Sequence, residues 1–327
     1  MTIIRIGILG AAGIAPAALI GPAKQVDGVA VTAIAARNRQ RAEQFAAKHG
    51  IARVHDRYAA LVADPDLDAV YIPLPNSLHA PWAEQALLAH KHVLCEKPLS
   101  SNATQAEHLV ALAESTGLVL MEAFHYRYHP LMVRAKEIVD NGEIGGLRHI
   151  DASFCIPLVK PRDIRWRWEL AGGATMDVGC YTIHLIRSLG GGEPHVRSAH
   201  ARLLSSQVDR RMEADFEFDS GVTAHMTCSM LSTRLLGLGT TITGSRGEIR
   251  ILNPWLPHRF HRFTVRTSAG HRRERFAGDS TYTHQLRAFV AWVQGGPPAL
   301  TDGQDALHNM RTIDAVYRAA GLRPRGV

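Results

Sequence analysis

His92-Val93-Leu94-Cys95-Glu96-Lys97-Pro98-Leu99 runs from an apolar stretch straight into an acid, a base and a proline. Its first four residues read as a buried strand, and the charges fall where that strand ends. In an open α/β sheet, ligands bind outside the carboxyl ends of the strands, so a lysine at that point faces bound substrate or cofactor. A solvated Glu-Lys turn stopped by a proline is the plain alternative. The flanking sequence decides between them.

Toward the N-terminus, Ala69-Val70-Tyr71-Ile72 reads as a second such strand. It enters Pro73-Leu74-Pro75-Asn76-Ser77-Leu78-His79, where prolines impose an extended bend before a helix over Pro81 to Ala89 that Ser77 or Asn76 can cap. Leu74, Asn76 and His79 are thereby placed at another strand end, beside the path of a cofactor. Earlier still, the β-branched run Ile3 to Leu9 is followed at once by Gly10-Ala11-Ala12-Gly13-Ile14-Ala15 and a helical stretch to about Lys24. Strand, glycine turn and helix in this order form a diphosphate cradle of backbone N–H groups at a helix N-terminus. Gly10 fills the first glycine position, Ala12 stands where the second is usual, and Ala15 takes the third.

The next strand, Val29 to Ala36, ends in Arg37-Asn38-Arg39. An NAD-preferring fold places Asp or Glu there to hold the ribose 2′-hydroxyl. Arg37 suits a 2′-phosphate instead, through charge-assisted hydrogen bonds, so NADP is favoured, with NAD the alternative. The plain reading is that Arg37 and Arg39 only begin the helix Gln40 to His49, which Gly50 stops. A short helix over Arg57 to Ala63, a turn at Asp64-Pro65-Asp66, a helix capped near Ser100 and a strand over Leu118 to Met121 complete the alternation. Strands separated by helices of this length predict a doubly wound parallel sheet, a Rossmann domain over residues 1–123.

The pattern changes over residues 124–327. Strands are expected at Leu147 to Phe154, His195 to Leu203, Met212 to Phe218, Val222 to Met230, Thr240 to Thr243 and Glu248 to Leu252. Asp219-Ser220-Gly221 and Gly244-Ser245-Arg246-Gly247 serve as hairpin turns. This predicts an α+β domain on a large, mainly antiparallel open sheet, closed by helices near Thr283 to Trp292 and Gln304 to Ala320. One helix interrupts the strands, Gly173 to His184, and sets Asp177, Tyr181 and His184 at i, i+4 and i+7, a carboxylate, a phenol and an imidazole on one stripe. A half-buried helix whose polar groups simply find partners is the alternative. His125, His129 and His184 lack ligand spacing, and no metal site is expected.

At 327 residues the chain is long enough for two domains with separate cores. No run is long and apolar enough for a membrane span, and no signal segment opens the chain, so a soluble, cytoplasmic protein is expected. Four scattered cysteines without a CxxC pair fit reduced thiols. The net charge of +7 gathers partly between Arg259 and Arg275, where residues alternate as on a solvated strand face rather than a nucleic-acid surface. A basic chain also suits an anionic ligand such as a phosphate-bearing cofactor or a nucleotide sugar.

Taken together, the glycine turn, Pro75-Asn76 with His79, Glu96-Lys97-Pro98, Tyr126-Arg127-Tyr128-His129-Pro130 and Gly172-Gly173-Ala174 with Asp177, Gly179 and Tyr181 resemble the Gfo/Idh/MocA oxidoreductases over nearly the whole chain. The resemblance implies that Lys97 contacts the nicotinamide and the reacting oxygen, that Glu96 helps fix that end of the cofactor site, and that Asp177 orients substrate. Arg165 and Trp166 resemble a loop that reaches the cofactor. Family members carry His or Tyr four residues after the position of Asp177, and Tyr181 places the chain with the Tyr branch, which acts on sugars and cyclic diols, often with NADP. A phenol with a free pKa of about 10 is a poor base at neutral pH, and the Lys97 ammonium would favour its phenolate. A homodimer or homotetramer is implied by the family's habit of packing the open sheet face to face. A non-catalytic NAD(P)-binding sensor on the same fold is the rival reading; nucleic-acid binding is not expected.

Overall fold

A computed structural model describes residues 3–158, 160, 163–232 and 236–327. Contacts divide the chain into two units, Met1–His125 with Ser280–Leu307, and Tyr126–Asp279 with His308–Val327. A single boundary after residue 123 does not include the return of 280–307 to the first unit.

The first unit holds a six-stranded parallel sheet of β1 (Ile4–Leu9), β2 (Val29–Ala35), β3 (Arg53–His55), β4 (Ala69–Ile72), β5 (His92–Cys95) and β6 (Leu120–Glu122). Their order is β3-β2-β1-β4-β5-β6, the doubly wound arrangement in which the chain reverses direction across the sheet between β1 and β4. Ligands of such sheets sit at that switch point. The helices are α1 (Gly21–Ala23), α2 (Arg39–His49), α3 (Tyr58–Val62), α4 (His79–Leu88) and α5 (Ala103–Thr116), with a π-helical turn over Pro16–Ile20 before α1. All of β4 and most of β5 are buried, as expected for central strands covered on both faces.

Two helix starts differ from expectation. Neither Ser77 nor Asn76 caps α4, because Asn76–Leu78 forms a 3-10 turn and the helix begins at His79. Ser100 does not cap α5 either. The Asn102 side chain does, accepting from the Gln105 N–H at 3.0 Å. Strand β3 has no apolar run to announce it, since all three of its residues are only half-buried at the sheet edge.

The second unit opens with α6 (Pro130–Asp140) and builds an eight-stranded sheet from β7 (Leu147–Cys155), β8 (His195–Leu203), β9 (Asp209–Glu217), β10 (Thr223–Ser229), β11 (Gly237–Gly244), β12 (Gly247–Leu252), β13 (Arg262–Thr267) and β14 (Gly270–Glu274), in the order β14-β13-β12-β11-β7-β10-β9-β8. All its pairings are antiparallel except β7 with β10. The arginine-rich stretch forms the β13–β14 hairpin, in which Phe263 and Val265 are buried while Arg262 and Arg266 are exposed. Alternation of this kind covers one face of the sheet and leaves the other polar, with Asp151, Thr241, Arg250 and Thr264 on it. A π-helical turn, Thr175–Gly179, runs into α7 (Cys180–Gly190), which packs on the covered face. Along the chain the sheet is followed by α8 (Thr281–Val293), which belongs to the first unit, and by α9 (Gly303–Ala319). Among the described residues, no helix is long and apolar enough to cross a membrane.

Gly7 shows how closely β1 is covered. A Cβ there would come within 2.6 Å of Leu67 Cδ1 and 2.7 Å of Leu61 Cδ2, and the register of β1 against β2 shifts between Ile6 and Gly7. Gly7→Val should therefore cost about 1–3 kcal/mol of stability through overpacking. A urea midpoint equal to that of the parent chain would overturn this account of the strand.

Candidate active site

In the first unit, the turn after β1 begins with Gly10 at φ +104°, a conformation that L side chains rarely adopt. A Cβ on Gly10 would lie 3.0 Å from Leu74 Cδ2 and 3.8 Å from the Tyr58 hydroxyl, so the ends of β1, β3 and β4 converge here. Gly13 has open space where a Cβ would stand, and Ile14, exposed beside it, receives backbone bonds from the Ala17 and Ala18 N–H groups. The turn thus offers N-terminal amides beside uncluttered space, which suits a diphosphate. Ala12 is half-buried within it and Ala15 is fully buried.

Arg37 and Asn38 follow β2 and are exposed. Asn38 is spent in part as the cap of α2, its side chain accepting from the Arg41 N–H at 2.8 Å. The Arg41 guanidinium returns to the glycine turn and donates to the Ala11 carbonyl at 3.0 Å. Tyr58, whose phenol burial raises its pKa, stands beside the Arg37 backbone and meets Trp82 edge-on at 5.1 Å. Arg41 and Tyr58 escaped the sequence reading because no local motif marks them; only the convergence of strand ends brings them to the turn.

At the ends of β4 and β5 the packing is tighter. His79 is 1% exposed, and its ring nitrogens lie 2.7 Å from the Leu74 carbonyl and 2.7 Å from the Pro98 carbonyl. Burial pushes its pKa down to about 4; the Lys97 charge acts in the same direction, and the two carbonyl oxygens oppose it. His79 therefore stands between two strand-end loops, and as a neutral ring with one N–H it donates to one of the two carbonyls at a time. Glu96 accepts at 2.6 Å from the hydroxyl of fully buried Tyr71, whose own ionisation is pushed far up by burial and then by that carboxylate. Just beyond the cis Lys97–Pro98 bond, the Leu99 N–H donates to buried Glu122 at 2.7 Å. Lys97 itself is half-buried, and Asn76 is half-buried at the start of its 3-10 turn.

In the second unit, Tyr181 is 7% exposed and packs among Tyr126, Phe154 and Trp255, with ring centroids 5.8, 5.4 and 5.7 Å away. His184, one turn further along α7, is buried, and its Nδ1 meets the Tyr126 hydroxyl at 2.6 Å, within the same aromatic cluster. Asp177 leaves the π-helical turn and pairs with Arg165 Nη1 at 3.5 Å. Arg165 is also held by Asp163 through two bonds of 2.8 and 3.0 Å, which lower the Asp163 pKa. Trp166 is half-buried in the same short 3-10 turn, Ile164–Trp166. Phe154 and Trp255 went unnoticed in the sequence because each lies in a stretch that reads as ordinary core. Among the described residues, no group of three or more His, Cys, Asp or Glu side chains could hold a metal ion.

Comparison with known proteins places the chain in a family. Residues 4–124 match the oxidoreductase family with an NAD-binding Rossmann fold, and residues 132–250 match the GFO/IDH/MocA C-terminal domain. The chain is 38% identical over 315 residues to D-xylose 1-dehydrogenase (NADP(+)) 2 of Haloferax volcanii, covering 96% of each. It is 34% identical over 335 residues to the dTDP-3,4-didehydro-2,6-dideoxy-α-D-glucose 3-reductase of Streptomyces antibioticus, covering 98% of each. The fold superposes on a 3-ketoreductase from Actinomadura kijaniata, solved with NADP and TDP-benzene, at a TM-score of 0.90 and 32% identity over 98% of each chain. With both halves matched and full-length relatives above 30% identity, the chain belongs to the GFO/IDH/MocA family of oxidoreductases.

Proposed function

We propose that this protein is an NADP-dependent oxidoreductase that moves a hydride between the nicotinamide and a hydroxyl or keto carbon of a sugar, nucleotide sugar or cyclic diol. The observation that carries the reading is Lys97, held at the carboxyl end of β5 in a parallel sheet whose first turn has the space and backbone conformation for a diphosphate. The named activities of the xylose dehydrogenase and the dTDP-sugar reductase support it, as does the NADP bound by the 3-ketoreductase. NADP, when bound, supplies or accepts the hydride.

The chain's own residues divide the remaining work. Gly10, Ala12, Gly13, Ile14 and Ala15 receive the diphosphate at the helix N-terminus. Arg37 and Asn38 take the ribose side, where the guanidinium meets a 2′-phosphate. Leu74 and Asn76 wall the cofactor path, and His79 acts from between the two strand-end carbonyls that its ring nitrogens approach. Glu96 and Lys97 fix the nicotinamide end, Arg165 and Trp166 serve the cofactor, and Asp177 orients substrate. Tyr181 takes the proton of the reacting hydroxyl in oxidation and returns it to the oxygen in reduction, with the Lys97 ammonium favouring the phenolate. A homodimer or homotetramer formed through the polar face of the eight-stranded sheet completes the proposal.

Tyr181→Phe should fold and bind NADP with unchanged fluorescence quenching, yet lose on the order of 10²–10⁴-fold in kcat against a panel of D-xylose, dTDP-keto sugars and trans-dihydrodiols. Undiminished turnover would remove Tyr181 from the role, and stoichiometric NADP binding by the parent chain with no turnover on the whole panel would favour a sensor instead. Arg37→Ala is expected to weaken NADP by about tenfold or more, the worth of a charge-assisted hydrogen bond, while leaving NAD affinity unchanged. Equal weakening of both cofactors would refute the 2′-phosphate assignment. Light scattering should give a dimeric or tetrameric mass that Arg250→Glu lowers; a monomeric mass for the parent chain would remove the oligomer from the proposal.

A further inference from the structure

A guanidinium and a carboxylate are buried together beside the turn that leads to Tyr181. Arg325 and Asp209 both have fully buried side chains and pair at 2.7 Å. Asp209 Oδ2 accepts from the Thr175 N–H and from the Thr175 hydroxyl, each at 2.7 Å, while Oδ1 accepts from Arg325 Nη2 and, at 3.1 Å, from the Tyr317 hydroxyl. Arg325 Nε donates to the Gly172 carbonyl at 2.8 Å, and the guanidinium carbon lies 4.2 Å from the Tyr317 ring centroid and 4.6 Å from that of Trp168. One ion pair thus grips both ends of Gly172-Gly173-Ala174-Thr175.

That turn is joined on both sides to residues already assigned to the site. The Gly173 N–H donates to the Arg165 carbonyl at 2.9 Å, the Gly172 N–H to the Arg167 carbonyl at 2.9 Å, and the Asp177 N–H to the Gly173 carbonyl at 3.0 Å. The two glycines are there because nothing larger fits. A Cβ on Gly172 would meet the Arg165 carbonyl oxygen at 2.5 Å, and one on Gly173, at φ +133°, would stand 2.2 Å from Asp209 Oδ1 and 2.7 Å from Arg325 Nη2.

Stability is a poor reason for such a pair. Stripping two ions of water costs about as much as their attraction returns, and apolar side chains of similar volume usually fill the same space at least as well. What apolar side chains cannot do is fix direction. A planar guanidinium with donors at set angles aims one at Asp209 and another at Gly172, and so determines how the turn between them is oriented.

We propose that Arg325 and Asp209 are positioning residues for the reaction, setting the Gly172–Thr175 turn and through it the placement of Asp177 and Tyr181 on one side and of Arg165 and Trp166 on the other. The proposal rests on the reading of Tyr181 as the acid–base group. Neither residue needs to touch substrate or cofactor. Misplacement of a reacting group by about 1 Å from a distant change is enough to lower turnover on the order of 10²-fold.

The test compares Arg325→Gln, Arg325→Lys, Asp209→Asn and Gly173→Ala with Phe263→Leu, a core substitution on β13 of the same unit that serves as a control for loss of stability alone. Each is assayed well below its melting temperature for kcat, for 2′,5′-ADP binding and for hydrogen exchange across residues 165–181. Arg325→Gln, Asp209→Asn and Gly173→Ala should lower kcat, speed exchange in that segment and leave 2′,5′-ADP binding unchanged, and the Arg325→Gln/Asp209→Asn double variant should lose no more kcat than the worse single one. Arg325→Lys, which keeps the charge opposite Asp209 but not the second donor to Gly172, should fall between these and the parent. If Arg325→Gln does not fold, Arg325→Lys and Gly173→Ala carry the test. Parent-like kcat and exchange in those two, or a Phe263→Leu variant of equal melting temperature showing the same losses, would overturn the proposal. Failure of the Tyr181 reading looks different: Tyr181→Phe keeps its turnover while exchange over 165–181 still responds to Arg325.

Discussion

Three positions flanking Lys97 are held by buried partners: the Glu96 carboxylate by the Tyr71 hydroxyl, the Pro98 carbonyl by the His79 ring, and the Leu99 N–H by the Glu122 carboxylate. A lysine side chain has four rotatable carbons and little directional preference of its own. Its charge can be delivered to one place only if the backbone that carries it is fixed, and here fixation comes from groups that water cannot reach. The other nitrogen of the same ring lies 2.7 Å from the Leu74 carbonyl, so the histidine stands between the loops after β4 and β5. The rest of the first half-site, from the glycine turn to Asn76, is arranged around these strand ends.

The second unit solves a related problem with different means. Tyr181 is set in rings rather than in carboxylates and carbonyls, with Tyr126, Phe154 and Trp255 about it and the Phe154 and Trp255 rings stacked 5.2 Å apart. Aromatic pairs of this kind resist reorientation because their preferred geometries are few. His184 finishes the cluster from within by taking the Tyr126 hydroxyl. Asp177 is controlled by charge, through an arginine that a second aspartate holds in place.

Much of this was legible in the sequence where a local pattern reports a local cause. The apolar runs at β4 and β5, the glycine after β1 and the Gly50 stop with φ of 72° all follow from backbone sterics and burial within a few residues. The arginine-rich hairpin was recognisable as a strand face because alternation of period two survives in its residues. Helix starts were read less well. Ser100 lost to Asn102, and a 3-10 turn took the place of a cap at α4, since several polar residues compete at each start and small differences in loop path choose among them.

The sequence by itself determined the doubly wound first sheet and the mainly antiparallel second one, because periodicity and turn chemistry depend on neighbours along the chain. The tertiary structure alone decided that the buried His184 ring meets the Tyr126 hydroxyl. It also decided that the His79 ring lies between two strand-end carbonyl oxygens, and that Arg325 is buried against Asp209, 116 positions away along the chain. Those outcomes rest on burial and on partners distant in sequence, and a side chain's partner across such a distance is set by how the strands and helices pack.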